Sequence, residues 1–213
     1  MKQPIKAIVF DVYGTLFDVH SVRDACEQEF PEKGAAISQV WRTKQLEYFF
    51  WRHMMGRYED FESVTRDALR YALAVHDATS TEDIEQRLVT SYAHLTPYEE
   101  VESVLKELHD VKTVILSNGT DEMLKALLRN AGLTDYFDEV VSVDGIKQPK
   151  PTPAAYMHWF KTSVFVVTRC SSYRRTDGTS LERKTSASMR PGSIGTTYRL
   201  KRSMWNRIPS IRI

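Results

Sequence analysis

Ile5-Lys6-Ala7-Ile8-Val9-Phe10 runs directly into Asp11, and Gly14 follows shortly after. A short, β-branched, largely apolar run of this kind reads as a strand buried on both faces, as in a parallel sheet. Parallel strands need long crossover connections, normally helical. The chain is therefore constrained to an α/β fold. Asp11 then stands at the carboxyl end of a strand, where open α/β sheets place their ligands. Gly14 suits the tight turn that leaves it.

The next segment breaks the alternation. From about residue 20 to 95 the pattern is helical and contains no convincing strand. Val40, Leu46 and Phe50 recur in a segment ending near Gly56. Phe61, Val64, Ala68 and Leu69 make a second periodic face. Ser80-Thr81-Glu82-Asp83 opens a third, with acids in its first turn, continuing through Ile84, Leu88 and Tyr92. The α/β alternation then resumes. Pro97 opens a helix carrying Val101, Val104, Leu105 and Leu108. Thr113–Leu116 is a strand leading to Ser117-Asn118-Gly119. Asp121 begins a helix through Met123, Leu124, Leu127 and Leu128 that stops near Gly132. Glu139–Val143 is a strand, and Pro151 starts another helix. The expected architecture is a Rossmann-like parallel sheet core, residues 1–16 and 97–160, interrupted by a helical cap over residues 17–96.

The last segment has a different composition. Residues 1–160 carry 17 Lys+Arg against 26 Asp+Glu, whereas residues 161–213 carry 12 Lys+Arg against only Asp177 and Glu182. This basic, Ser/Thr-rich tail sustains no helical or strand period beyond a possible strand at Val164–Val167. The core is therefore expected to be incomplete at its C-terminal part. The tail raises one alternative, a nucleic-acid-binding protein, but it holds no recognisable binding motif. No apolar run approaches the ~18–20 residues of a membrane span, and the N-terminus lacks a signal-peptide core. Cys26 and Cys170 form no disulfide framework and fit a reducing cytoplasm.

Four features converge on one chemistry. Asp11 can act as a covalent nucleophile. Lys150, before Pro151, can keep it ionised and orient it. Ser117 and Asn118, at a second strand end, can position a substrate or stabilise a leaving group. Asp11-Val12-Tyr13-Gly14-Thr15, then Ser117-Asn118 after Val114-Ile115-Leu116, then Lys150-Pro151 continuing to Pro153 and Tyr156, resemble the three leading motifs of the haloacid dehalogenase superfamily. The resemblance covers residues 1–158. Phosphatases of that superfamily carry a second Asp two positions after the nucleophile, which helps bind Mg²⁺. Here that position is Tyr13, a poor ligand for a hard cation. The motif, with cap segments Trp41–Tyr48 and Gly56–Phe61, therefore resembles the type II (S)-2-haloacid dehalogenases, which use no metal or other cofactor.

The resemblance implies that Asp11 displaces halide from a short 2-haloalkanoate, and that water then hydrolyses the aspartyl ester to an (R)-2-hydroxy acid. Arg42 and Asn118 would stabilise the halide. Thr15, Ser117 and the backbone near Val12 and Tyr13 would hold the substrate carboxylate or orient Asp11. Lys150 and Tyr156 would line the nucleophile's side, and Tyr13, Leu46 and Phe61 would form apolar walls. The resemblance also implies a homodimer acting on a small molecule, without nucleic acid or membrane. Tyr48-Phe49-Phe50-Trp51 reads as core or dimer packing and His53 as a packing or surface residue. A Mg²⁺-dependent phosphatase of the same superfamily is the enzymatic alternative.

The relatives' fourth motif, similar to Ser-Asn-x-Trp-Asp, is not legible in the tail. Thr176-Asp177-Gly178-Thr179 is encoded ACN GAY GGN ACN, and regrouping one base earlier permits Asn-Arg-Trp-Asp. The same shift over Leu181–Ser186 permits Gly-Ala-Lys-Asn-Phe, and over Ala187–Ile194 permits Gly-Phe-Asn-Ala-Ala-Trp-Ile. A reading-frame change near residues 158–162 is the expected origin of the tail, with impaired ester hydrolysis as its consequence.

Overall fold

A computed structural model describes residues 7–159 in full and the backbone of 160–162, 174–176 and 180–182. Strand β1 (Ala7–Phe10) leads through the turn after Asp11 to β2 (Phe17–Asp18). Gly14 takes φ +83° in that turn, whose N–H groups at Thr15, Leu16 and Phe17 all bond the Val12 carbonyl. Helices α1 (Val22–Glu29), α2 (Gly34–Met54), α3 (Phe61–Val75) and α4 (Glu82–Thr90) follow. Strand β3 (Thr96–Pro97) returns the chain, and β2 and β3 pair antiparallel, Phe17 opposite Pro97. The two connections between sheet and helices thus clasp each other. Next come α5 (Val101–Lys106), β4 (Lys112–Ser117), α6 (Asp121–Asn130), β5 (Glu139–Ser142) and α7 (Pro153–Thr162). Beyond α7, β6 (Arg174–Thr176) pairs antiparallel with β7 (Ser180–Glu182), a strand pairing the sequence pattern did not predict. The expected strand at Val164–Val167, together with Cys170 and Asp177, lies outside the described residues.

The described sheet is parallel, in the order β1-β4-β5. One face packs Ala7, Val9, Val114, Leu116 and Val141 against Ala155 and Trp159 of α7. On the other, Ile8 and Ile115 join Leu124, Leu127 and Leu128 of α6 in a cluster that continues into Trp41, Leu69 and Leu88 of the helical block. Register sets the site: Phe10 pairs with Ile115 and Ser117 with Ser142, so Asp11, Ser117 and Ser142 reach the same edge.

Helix ends follow their caps. Asp60, Thr81 and Thr120 accept from the N–H of Ser63, Ile84 and Met123. The exception is Pro97, which does not open a helix. The Tyr98 N–H bonds the Leu16 carbonyl and the Val101 N–H bonds that of Tyr98. The helix therefore starts at Val101, and Pro97 sits in a two-residue strand, where its missing donor costs little. Similarly, α7 begins at Pro153 rather than Pro151.

Cys26 is fully buried in the cluster that joins α1 to α2. Burial pushes its thiol up from 9.0 to about 12, with the nearby Glu27 charge adding to the effect. Below pH 9 the thiol is protonated in both folded and unfolded chain. Between about 9 and about 12 only the unfolded chain releases the proton, so folding stability falls, by at most about 1.4 kcal/mol per pH unit. Thiol reagents at pH 8 are expected to leave the Cys26 peptide unlabelled until denaturant is added. Rapid labelling of that peptide in the folded chain would contradict this.

Candidate active site

Helix α2 presents two stripes at four-residue spacing. Ile37, Trp41, Gln45 and Phe49 are buried, whereas Arg42, Leu46 and Phe50, one position further round, line a cavity of about 400 Å³. Trp41 fixes the first stripe, its indole N–H donating to the Thr65 carbonyl on α3 at 2.8 Å. The sequence pattern marks Val40, Leu46 and Phe50 as the apolar recurrence of this helix; in the structure Leu46 and Phe50 line the cavity, and the buried stripe beside them includes the polar Gln45.

The opposite wall of the cavity comes from the sheet's carboxyl edge: Asp11, Tyr13, Ser117, Asn118, Lys150 and Tyr156, with Phe61 from α3. The Lys150 ammonium donates to Asp11 Oδ1 at 2.7 Å and also to the Leu116 carbonyl, joining the ends of β1 and β4. Both side chains are largely withdrawn from solvent, at 13% and 21% exposure for Lys150 and Asp11. Thr15 Oγ1 approaches Asp11 Oδ2 at 3.4 Å. The carboxylate is thus oriented through both oxygens. Asn118 holds the backbone of Lys150: its Oδ1 accepts the Lys150 N–H at 2.8 Å and its Nδ2 donates to the Lys150 carbonyl at 3.4 Å. This pairing places the lysine, a task additional to the halide contact expected for Asn118. Ser117 Oγ accepts the Gly119 N–H at 3.3 Å.

Tyr13 is buried with its ring stacked on Phe61 at 5.4 Å, and it lies 6.2 Å from Tyr92. Its hydroxyl finds no hydrogen-bond partner among the described residues. Burial, more than the neighbouring Tyr92, drives the phenol far above its ordinary range, so it stays protonated. The ring also explains Gly119: a Cβ there would stand 2.8 Å from Tyr13 Cε2. Phe61 stacks on one face of that ring, so the ring must slide along Phe61 or into the cavity to make room. Gly119→Ala is expected to destabilise the fold by about 1–3 kcal/mol, the usual cost of overpacking. An unchanged denaturation midpoint would show that the ring yields freely.

Of the predicted residues, Asp11, Tyr13, Arg42, Leu46, Phe61, Ser117, Asn118, Lys150 and Tyr156 share this one cavity. Thr15 acts from behind Asp11. Val12 has its side chain fully buried in the core and contributes its carbonyl to the turn. Phe50, read as packing, is a wall of the cavity, whereas Phe49 beside it is core and Trp51 is 51% exposed. A cap-to-core tie was not foreseen: the Tyr58 hydroxyl donates to Asp144 Oδ1 at 2.8 Å. Among the described residues, no group of three or more His, Cys, Asp or Glu is arranged to hold a metal, and no helix is long and apolar enough to cross a membrane.

A parallel α/β core with a helical insertion after the first strand, and an aspartate–lysine pair at the sheet edge beneath it, defines a class, and the family model agrees. The chain belongs to the haloacid dehalogenase-like hydrolase family, matched over residues 5–162. It is 52% identical over 152 residues to the (S)-2-haloacid dehalogenase of Xanthobacter autotrophicus, a match covering 71% of this chain and 60% of that protein. It is 43% identical over 156 residues to (S)-2-haloacid dehalogenase 2 of Pseudomonas sp. (strain CBS-3), covering 72% and 68%. The solved structure of the L-2-haloacid dehalogenase from Xanthobacter autotrophicus with chloropropionic acid covalently bound is similar at a TM-score of 0.75 and 47% identity, over 79% of this chain and 69% of that one. The chain therefore spans under two thirds of the length of the Xanthobacter protein it matches.

Proposed function

We propose that this chain carries the site of an (S)-2-haloacid dehalogenase, converting short 2-haloalkanoates to (R)-2-hydroxy acids. The observation that carries the reading is the Asp11 carboxylate, paired with Lys150 at 2.7 Å, on one wall of a cavity whose other wall holds Arg42. An Asp11 oxygen attacks the substrate α-carbon opposite the halogen. The C–O bond forms as the carbon–halogen bond breaks, and halide leaves with the bonding pair towards Arg42 and Asn118. Water then adds at the Asp11 carboxyl carbon and the hydroxy acid departs, restoring the carboxylate. Lys150 holds the Asp11 carboxylate through their 2.7 Å ion pair, and Thr15 and Ser117, with the backbone near Val12 and Tyr13, orient it or take the substrate carboxylate. Tyr13, Leu46, Phe50, Phe61 and Tyr156 form the walls, whose low polarity strengthens each charge contact.

Both bond exchanges need only side chains and water, so the reading requires no metal or organic cofactor. A Mg²⁺-dependent phosphatase is disfavoured by Tyr13, a protonated phenol where a hard cation would want an anionic oxygen. The same reading treats residues 1–16 and 97–160 as a catalytic core and 17–96 as its cap, in a cytoplasmic homodimer, and treats residues 161–213 as the product of a reading-frame change. The test is halide release from (S)- and (R)-2-chloropropionate beside phosphate release from p-nitrophenyl phosphate with Mg²⁺. Halide from the (S) substrate alone is expected. Phosphate release without halide would overturn the reading.

A further inference from the structure

Behind Arg42 stands a buried polar pair, Gln45 and Thr65, neither of which lines the cavity. Gln45 and Thr65 are both fully buried. The Arg42 Nη1 donates to Gln45 Oε1 at 2.6 Å, one helical turn along α2. The Gln45 Nε2 donates to Thr65 Oγ1 at 2.6 Å, and that hydroxyl donates to the Phe61 carbonyl at 2.6 Å. The Tyr92 hydroxyl also reaches Gln45 Oε1, at 3.4 Å.

These bonds permit one orientation of the amide. Thr65 has a single proton and spends it on Phe61, so it faces Gln45 as an acceptor. The Gln45 NH₂ must point at it, which turns the amide oxygen towards Arg42. A guanidinium only donates, and a flipped amide would set NH₂ against it. We propose that Gln45, locked by Thr65, is the positioning residue that aims the Arg42 guanidinium into the cavity, and that it does so with a neutral acceptor, which adds no negative charge beside the halide path. The relay ends on the backbone of Phe61, so it also couples Arg42 to the ring wall that stacks on Tyr13.

This inference rests on the reading of Arg42 as the halide-side group, and two readouts separate the two. The first uses the ¹⁵N-labelled full chain without substrate. Restricted rotation of the Arg42 guanidinium should give separate Nη signals in the parent chain and in Thr65→Ser, and merged signals in Thr65→Val and Gln45→Met. Separate signals in all four overturn the relay, whatever the activity. The second is the rate of first halide release. Gln45→Glu keeps the shape and adds a charge, and is expected to slow release about 100-fold, the scale of losing one oriented donor to a developing anion. The loss should be greater with (S)-2-chloropropionate than with (S)-2-bromopropionate, because the poorer leaving group leans harder on Arg42. Thr65→Ser should stay within about threefold of the parent. A Gln45→Glu chain as fast as the parent overturns the inference. Arg42→Ala as fast as the parent overturns the reading of Arg42 itself and leaves the relay to be judged on the Nη signals.

Discussion

Asp11→Ala is expected to abolish both halide release and covalent labelling, a loss of about 10⁴-fold or more, as for removal of other covalent nucleophiles. The parent chain, mixed with excess (S)-2-chloropropionate, should release about one halide per chain and gain the mass of one propionate ester on the peptide holding Asp11. The first half-reaction needs a carboxylate, a cation to hold it, a group for the leaving halide and dry walls. The cavity already gathers Asp11, Lys150, Arg42, Asn118 and the rings of Tyr13, Phe50 and Phe61. Lys150→Met tests the cation. It removes the 2.7 Å contact to Asp11 and the tie to the Leu116 carbonyl while keeping most of the side-chain volume. Ester formation should slow by about 10²–10³-fold, the scale of losing a charge-assisted contact that steers the reacting atoms. Equal labelling from the (R) substrate, or labelling that survives Asp11→Ala, would remove Asp11 as the nucleophile.

Much of this site was legible because its chemistry sits at strand ends. Apolar runs ending in Asp11 and Ser117 give both the sheet and the positions of the reacting groups, and parallel register then brings them together. Lys150 is different. Lys-Pro says little by itself, and its meaning came from its order after two other motifs. What stayed hidden depended on rotation about a helix axis. In α2 the stripes at 37/41/45/49 and 42/46/50 differ by one residue, and a polar residue on the buried stripe masks the register. The pattern alone therefore gives Phe50 as packing and does not single out Gln45. The signal that could have found Gln45 is its four-residue spacing from Trp41 and Phe49, which places an amide where only a satisfied amide can be buried. The β2–β3 clasp and the Tyr58–Asp144 tie join residues distant in sequence, which no local pattern encodes.

A chain with its reading frame restored downstream of residues 158–162 is expected to turn over repeatedly, and the present chain to stop near one halide. The regrouped codons permit the Asn and Asp of the fourth motif, which the resemblance assigns to holding Lys150 and activating the hydrolytic water. General-base help of that kind accelerates attack by about 10²–10⁴-fold, so its loss is enough to strand the ester. The fold gives a second reason. Among the described residues β1 pairs only with β4, yet Ala7, Ile8 and Val9 are buried on both faces of the strand. A strand apolar on both sides belongs inside a parallel sheet, so the native ending is expected to supply a neighbour on the other edge of β1 and remove an aggregation-prone edge. The restored chain should therefore melt at a higher temperature and aggregate less, as well as gaining turnover. Two measurements decide the matter: sequencing of the source gene across codons 158–162, and steady-state halide release by both chains on (S)-2-chloropropionate. A gene with no frame change, or equal turnover by the two chains, would mean that residues 161–213 complete the site by a route unlike the one the motifs imply.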